Sequence, residues 1–103
     1  MDKRKDMRWE LSKINKITIA IEDEVAELID LSRDGMQLVI PFYPKNRHLE
    51  MLVTINEEPF DIKGYIHWLS ESTLKKGKNQ MGVSIVDAPE AYYQAIDRIL
   101  TIY

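Results

Sequence analysis

Short stretches of alternating apolar and polar residues run through the first 90 residues of this 103-residue chain. In the first stretch Ile17, Ile19 and Ile21 fall on one face of an extended segment, which is typical of a half-buried strand. We predict six strands, over residues 16–21, 24–32, 35–40, 50–55, 62–69 and 80–86. Pro41 ends the third strand, and a turn at 56–59 separates the fourth from the fifth. Six short strands at this spacing predict a small antiparallel barrel or sandwich.

The fifth predicted strand contains a tryptophan and a histidine. Trp68 shares a face with Ile62 and Ile66, because residues two apart along a strand point the same way. We therefore expect Trp68 to pack in the core. His67 turns to the other face with Tyr65, and we expect it at the surface or partly buried.

The end of the chain changes to a helical period. Residues 87–90, Asp-Ala-Pro-Glu, are typical of a helix start, with Asp87 as the candidate N-cap. Apolar residues then recur at helical spacing, at Tyr92, Ala95, Ile96, Ile99 and Tyr103. We predict a helix over residues 88–103 that covers an open end of the barrel. The alternative is a helix that also pairs with another protomer, and Ile102, which lies off the main stripe, is its only support.

Composition narrows the classes of function. The chain has 17 acidic and 14 basic residues and a net charge of -3, which argues against a globally basic nucleic-acid clamp but not against a local basic patch. Cysteine is absent, which excludes disulfides, thiolate zinc sites and cysteine nucleophiles. His48 and His67 are too far apart in sequence to suggest a metal site. No apolar run reaches the ~18 residues of a membrane span, so we expect a cytoplasmic protein without membrane insertion.

The first group of polar residues with candidate chemistry lies between the second and third strands. Residues 30–35 read D-x-S-x-x-G. We expect Asp30 and Ser32 to project together on one face, with Ile29 and Leu31 on the core side. Gly35 suits the positive φ found where a short hairpin loop re-enters a strand. Turn formation alone would explain the same residue types, so the motif by itself leaves a turn and a ligand site equally open.

The second group is a pair of arginines four residues apart, Arg4 and Arg8, in a charged N-terminal segment. Charged termini are usually solvated and mobile. A guanidinium group, however, binds phosphate or the O6/N7 edge of guanine with two hydrogen bonds, and it also stacks on bases. The carboxylate of Asp30 can accept from the N1–H and N2–H donors of guanine, which adenine lacks. Together these groups suit a guanine nucleotide that carries phosphates.

The order R-x-x-x-R followed by D-x-S-x-x-G resembles the hallmark of the PilZ domain, a bacterial receptor for cyclic di-GMP. Arg4 and Arg8 match the first half, and Asp30, Ser32 and Gly35 match the second. The resemblance covers the whole chain and implies a mainly β fold, a six-stranded antiparallel β-barrel with a C-terminal α-helix. It implies one domain in three segments: a flexible ligand-binding arm at 1–9, the barrel at 10–87 and the helix at 88–103.

The resemblance also implies a role for each matched residue. Arg4 and Arg8 would bind guanine edges and phosphates, with one guanidinium group stacked on a base. Asp30 would bind the Watson–Crick edge of guanine and Ser32 would add a polar contact. Gly35 would permit the turn and a close approach of the ligand.

Two further residues, Lys5 and Arg33, are candidate ligand contacts, Arg33 as a second contact to phosphate. Asp2 and Asp6 depart from a purely cationic arm, because their carboxylates would repel phosphate if they faced it. Four basic residues still outnumber these two within residues 1–8.

These features predict a receptor without a metal, without a cofactor and without catalytic activity. Cyclic di-GMP would order the arm over the barrel, and the signal would pass to a protein partner or through self-association, for instance as a homodimer. The first alternative is a PilZ-like interaction module that does not bind the nucleotide. A barrel for single-stranded nucleic acid is disfavoured by the acidic net charge, and we expect no nucleic-acid polymer as a partner. An enzyme is disfavoured because no nucleophile–base pair is evident.

Overall fold

Six antiparallel strands close into a barrel in the computed structural model, which describes residues 16–101. The strand order around the barrel is β1-β2-β3-β6-β5-β4, and β1 pairs with β4 to close it. A single helix, α1, follows the last strand. The elements are β1 (Ile17–Ile21), β2 (Glu24–Leu31), β3 (Gly35–Ile40), β4 (His48–Ile55), β5 (Glu58–Glu71), β6 (Asn79–Asp87) and α1 (Glu90–Thr101). The predicted six-stranded antiparallel barrel with a C-terminal helix is confirmed.

The core fills the inside of the barrel with aliphatic side chains from every strand. The most deeply buried of these include Ile19, Ile21, Leu38, Ile40, Val53, Ile62 and Met81. The predicted apolar stripe of α1 joins the same cluster through Tyr92, Ala95, Ile96 and Ile99, while Tyr103 and Ile102 lie outside the described residues. Because the strands form the wall, helix side chains can reach this core only through an open end of the barrel. The helix therefore covers that end.

The buried ring of Tyr92 joins the helix to the barrel. It packs edge-on against Phe60 of β5, with ring centroids 5.8 Å apart. Its hydroxyl group has no hydrogen-bond partner among residues 16–101. Burial, with a smaller contribution from Tyr93, raises the pKa of the Tyr92 hydroxyl to about 12, because an apolar environment disfavours the phenolate.

Helix α1 begins two residues later than the sequence predicted. Asp87 is the last residue of β6 rather than the N-cap. The backbone N–H of Tyr92 donates to the carbonyl of Pro89 at 2.9 Å, which forms the first turn. Glu90 places a carboxylate in that turn, where the helix dipole favours negative charge.

Two tight hairpins join β1 to β2 and β4 to β5. Each turn has two residues with positive φ, Glu22 (52°) and Asp23 (66°) in one, Asn56 (49°) and Glu57 (75°) in the other. This is the conformation of a type I′ turn, whose twist matches that of the flanking strands. The second turn is shorter than predicted, because β5 already starts at Glu58.

Two of the strand pairs contain a bulge near the D-x-S-x-x-G segment. In the β2–β3 pair, Leu28 lies opposite Leu38 but Asp30 lies opposite Gln37, so Ile29 is an extra residue. Ile29 is half-buried and does not belong to the core cluster, so its predicted place on the core side is wrong. A bulge of this kind shifts the alternation of all later side chains by one.

The second bulge lies in β5, where Ile66 is opposite Val83 and Trp68 is opposite Gly82. His67 is the extra residue at this point, and Val86 of β6 is a further extra residue where the pairing shifts between Lys63 and Gly64. The bulge turns Trp68 to the outside of the barrel, where its side chain is 41% exposed. The prediction that Trp68 packs in the core is therefore wrong, while His67 is exposed as predicted.

Candidate functional site

The D-x-S-x-x-G segment forms the end of β2, the β2–β3 loop and the first residue of β3. The backbone N–H of Ser32 donates to the carbonyl of Gly35 at 3.0 Å, and its hydroxyl donates to the same oxygen at 3.3 Å. The carbonyl of Asp34 accepts from the N–H of Ile85 on β6 at 2.8 Å. Ser32 therefore closes the loop as a turn-forming residue, and its side chain is exposed.

Gly35 is required by close packing between strands rather than by its backbone conformation. Gly77 is the one glycine with positive φ in the part of the chain that the structure describes, so the predicted positive φ at Gly35 is wrong. A Cβ atom at position 35 would lie 2.6 Å from the carbonyl oxygen of Val83. The absence of a side chain lets β3 and β6 pair closely beside the motif loop.

Four side-chain positions form one row across the outside of the barrel. Asp30 of β2 pairs with Gln37 of β3, Gln37 pairs with Gly82 of β6, and Gly82 pairs with Trp68 of β5. Side chains directly opposite each other on paired strands point to the same side of the sheet. At the usual spacing of strands, the row spans about 14 Å from Asp30 to Trp68.

The bulges are what bring both ends of this row to the outer surface. In β2, Ala26 and Leu28 face the core, and uninterrupted alternation would also turn Asp30 inward. The extra residue before Asp30 sends it outward instead, and Leu31 returns to the core. The extra residue before Trp68 does the same in β5, after Ile66. Bulges often redirect side chains in this way next to functional sites.

The indole ring of Trp68 lies directly against Gly82. A Cβ atom at position 82 would come within 2.6 Å of Cε2 and 2.8 Å of Cδ1 of the ring. Only glycine lets the ring cover the strand here. An aromatic ring of this kind, partly exposed beside Asp30 and Gln37, can stack on a base.

A second row borders the first and adds polar and aromatic groups. Ser84 of β6 lies between Gly35 of β3 and Tyr65 of β5, and Tyr65 pairs with His48 of β4. The ring of Tyr65 makes edge contacts with His48 and His67, at centroid distances of 5.2 and 5.5 Å. The Nε2 atom of His67 hydrogen-bonds to Oγ of Ser84. Polar side chains therefore lie on two sides of Gly82, with Gln37 in the first row and Ser84 in the second.

The chain matches the model of one protein family over almost its whole length. The model of the PilZ domain family matches residues 2–101 of the 103. The chain belongs to the PilZ domain family. No curated protein and no solved structure matched it. PilZ domains are receptor or adaptor domains of cyclic di-GMP signalling and are not a known enzyme family.

The residues of the PilZ motif divide into two sets. Asp30, Ser32 and Gly35 lie together at the motif loop. Arg4, Lys5 and Arg8, with the rest of the predicted arm at 1–9, lie outside the described residues, so their roles stay predictions. Extending the β1–β2 register from Ile19, which is opposite Ala26, brings the start of β1 level with Leu28. The N-terminal segment of this PilZ domain therefore joins the barrel next to the motif strand.

Arg33, a candidate phosphate contact, links the motif loop to α1 in this structure. Its Nε donates to both carboxylate oxygens of Asp97, at 3.0 and 3.3 Å. Its guanidinium carbon lies 4.8 Å from the centroid of the Tyr93 ring, in cation–π geometry. Both members of the ion pair are about half exposed, so the pair adds little to stability but fixes the direction of the Arg33 side chain.

The sequence reasoning missed three members of the outer row, Gln37, Gly82 and Trp68. A glycine inside a strand often marks a close approach of another group, so Gly82 was the available signal. The described part of this PilZ domain has no group of three or more His, Cys, Asp or Glu side chains that could hold a metal. Within residues 16–101, no helix is long and apolar enough to cross a membrane.

Proposed function

We propose that this chain is a receptor for cyclic di-GMP and that the nucleotide binds on the outer face of β2, β3, β6 and β5. The observation that carries the proposal is the row from Asp30 to Trp68, which two separate bulges turn to the surface in a PilZ domain. The row combines a carboxylate, an amide and an aromatic ring that lies flat on the backbone of a glycine. These are groups that recognise and stack a purine base.

In this proposal the guanine base is read by Asp30. Its carboxylate accepts from N1–H and N2–H of guanine, and adenine offers no matching pair of donors. The amide of Gln37, next to Asp30 in the row, supplies a further donor or acceptor for the base. The indole of Trp68 stacks on a base at the other end of the row. Ser32 closes the loop that follows Asp30 and adds a polar contact from its exposed hydroxyl.

The phosphates are neutralised by the N-terminal arm. Arg4 and Arg8 bind phosphates and guanine edges, with Lys5 as a further cation. The start of β1 lies beside the motif strand, so a short arm can fold back over the row. The ordered arm would then change the surface that a protein partner, or a second copy of the chain, recognises.

The proposal is tested by calorimetric titration of the full chain with cyclic di-GMP and, separately, with cyclic di-AMP. We expect binding of the guanine nucleotide only. Arg8→Ala should weaken binding about 5- to 150-fold, because a bidentate arginine contact contributes roughly 1–3 kcal/mol. Asp30→Ala should weaken binding and also reduce the preference for guanine over adenine.

Two variants serve as controls for these substitutions. Asp34→Ala removes an exposed carboxylate from the same loop and keeps its backbone hydrogen bond to Ile85. Arg98→Ala removes an exposed arginine from α1. Both should bind as the wild type does. If the wild-type chain gives neither heat nor chemical-shift changes with cyclic di-GMP at saturation, the receptor proposal fails. The chain would then be an interaction module that does not bind the nucleotide.

A further inference from the structure

A groove of about 520 Å³ crosses the outside of the barrel over β1, β4 and the first half of β5. The β1–β2 turn and Asp87, the last residue of β6, complete it. None of the motif residues and none of the row from Asp30 to Trp68 lines it. The groove is therefore a separate surface from the proposed nucleotide site.

The floor of this groove is apolar and exposed. Ala20 of β1 pairs with Val25 of β2 on one side and with Leu52 of β4 on the other. Leu52 is 43% exposed and the adjacent Val25 is 71% exposed. Single apolar side chains at a surface are ordinary, but here three lie side by side in a cross-strand row that enters a groove. Such a floor can accept an apolar side chain from another molecule.

The rim of the groove is strongly acidic. Five carboxylates line it, against one ammonium group, that of Lys63; the carboxylates belong to Glu22, Asp23, Glu50, Asp61 and Asp87. None of these five residues forms a salt bridge within the part of the chain that the structure describes. With Lys63 as the one cation in its lining, the groove keeps a net negative charge among the described residues.

This charge decides which class of molecule can cover the floor. Nucleotides and other phosphates are repelled. A second copy that docked through the same face would bring its own five carboxylates against these. A segment with an aliphatic side chain between lysines or arginines fits both the floor and the rim.

We propose that the groove binds a basic amphipathic segment of a partner protein. One aliphatic side chain of the segment packs on Leu52, and flanking cations pair with Glu50 and Asp61. The proposal does not depend on nucleotide binding, because the groove and the row from Asp30 to Trp68 are lined by different residues.

The test uses a short synthetic peptide of leucine and lysine in amphipathic helical order. The peptide is titrated into the full chain without nucleotide, at physiological ionic strength, and followed by amide chemical shifts. We expect shifts at Ala20, Leu52 and Lys63. A peptide with glutamate in place of lysine should cause none. Shifts that spread over the whole acidic surface, or that avoid these residues, would overturn the proposal.

Variants separate a defined site from general attraction between opposite charges. Leu52→Asp adds negative charge but removes the apolar contact, and we expect about tenfold weaker binding of the leucine–lysine peptide. Leu74→Asp makes the same change at a 60% exposed leucine outside the groove and should leave affinity unchanged. Equal or tighter binding by Leu52→Asp would show that charge alone attracts the peptide, and would refute the site.

A second variant removes charge without changing the floor. Glu50→Gln combined with Asp61→Asn should weaken binding several-fold, and unchanged affinity would count against the role of the rim. All of these side chains point away from the core, so circular dichroism should show the wild-type fold in each variant.

Discussion

The wall formed by β1, β4 and the first half of β5 differs from the wall formed by β2, β3, β6 and the second half of β5. In the first wall the strands pair without interruption, and both hairpins close through two-residue turns. In the second, β2 and β5 each carry an extra residue before the ends of the outer row. Regular pairing gives an outer face that follows directly from alternation. The bulged wall instead exposes two side chains, Asp30 and Trp68, that alternation would have buried.

The two walls show where a binding surface can form on a small barrel. Every inward position of such a barrel is needed for the core, so a site has to be built on the outside. Each bulge turns one large or charged residue outward and returns the next residue to the core, as seen at Leu31. The extra residue reverses which of the following side chains face outward, so the site forms with little loss of buried surface.

The largest expected effect comes from the close strand pairing that supports the bulged wall. Gly35→Ala would place a Cβ atom 2.6 Å from the carbonyl oxygen of Val83, and this backbone atom can give way only if β3 and β6 move apart. The free energy of unfolding should therefore fall by about 3 kcal/mol, as measured by urea denaturation. Cyclic di-GMP binding should weaken as well, because the motif loop would be displaced. The control Asp34→Ala changes an exposed side chain of the same loop and should cost no more than about 1 kcal/mol. Equal stability of the two variants would contradict the close packing at Gly35.

A second effect comes from the adjacent tyrosines of α1, which face different regions. Tyr93 contacts Arg33 of the motif loop, whereas Tyr92 packs on Phe60 at the start of the regular wall. The folded chain keeps the Tyr92 proton up to its pKa of about 12, while the unfolded chain releases it near 10. The contribution of this group to the free energy of unfolding is therefore fully present below pH 10. It falls by about 2–3 kcal/mol as the pH rises from 10 to 12.

Urea denaturation at pH 9, 10 and 11 checks this prediction, because this range spans the pH of about 10 at which tyrosine ionises in the unfolded chain. The difference in stability between wild type and Tyr92→Phe should shift in favour of the variant as the pH rises. At neutral pH the variant should be at least as stable as the wild type, because the Tyr92 hydroxyl is buried without a partner in residues 16–101. Tyr43→Phe, at an exposed tyrosine, is the control. Parallel pH profiles for all three proteins would show that Tyr92 is not the titrating group.

The smallest effect concerns a turn of the regular wall. Glu57 has a φ of 75°, a conformation that glycine adopts without strain. Glu57→Gly gives an Asn-Gly turn and should raise the free energy of unfolding by about 0.5–1 kcal/mol. Thermal denaturation measures the gain, with Glu58→Gly, in β5, as a control that should destabilise. A loss of stability in Glu57→Gly would argue against the type I′ turn.

The sequence was sufficient for the regular parts of this molecule. The strand from Gly35 to Ile40 and the helical stripe of Tyr92, Ala95, Ile96 and Ile99 follow from periodicity, because burial imposes it directly. The outward direction of Asp30 was also predicted, although for the wrong reason. Its position depends on the bulge at Ile29 rather than on unbroken alternation.

The errors fall where a single extra residue or a neighbouring strand decides the outcome. The residues around His67 carry no pattern that predicts a bulge, so alternation predicts Trp68 in the core. The need for glycine at position 35 arises from the carbonyl of Val83, which is 48 residues away in sequence. Asp87 reads as an N-cap, but its pairing with Lys63 extends β6 through it. Such contacts between distant segments are not visible in local patterns.

The most direct measurement is a chemical-shift titration of the full chain with cyclic di-GMP, observed at the indole N–H of Trp68 and the backbone amides of Gln37 and Gly82. If the nucleotide lies on the bulged wall, these three signals should move most, while the amides of Ala20 and Leu52 on the regular wall should stay in place. Saturable binding that leaves the signals of Trp68, Gln37 and Gly82 unchanged would contradict the account.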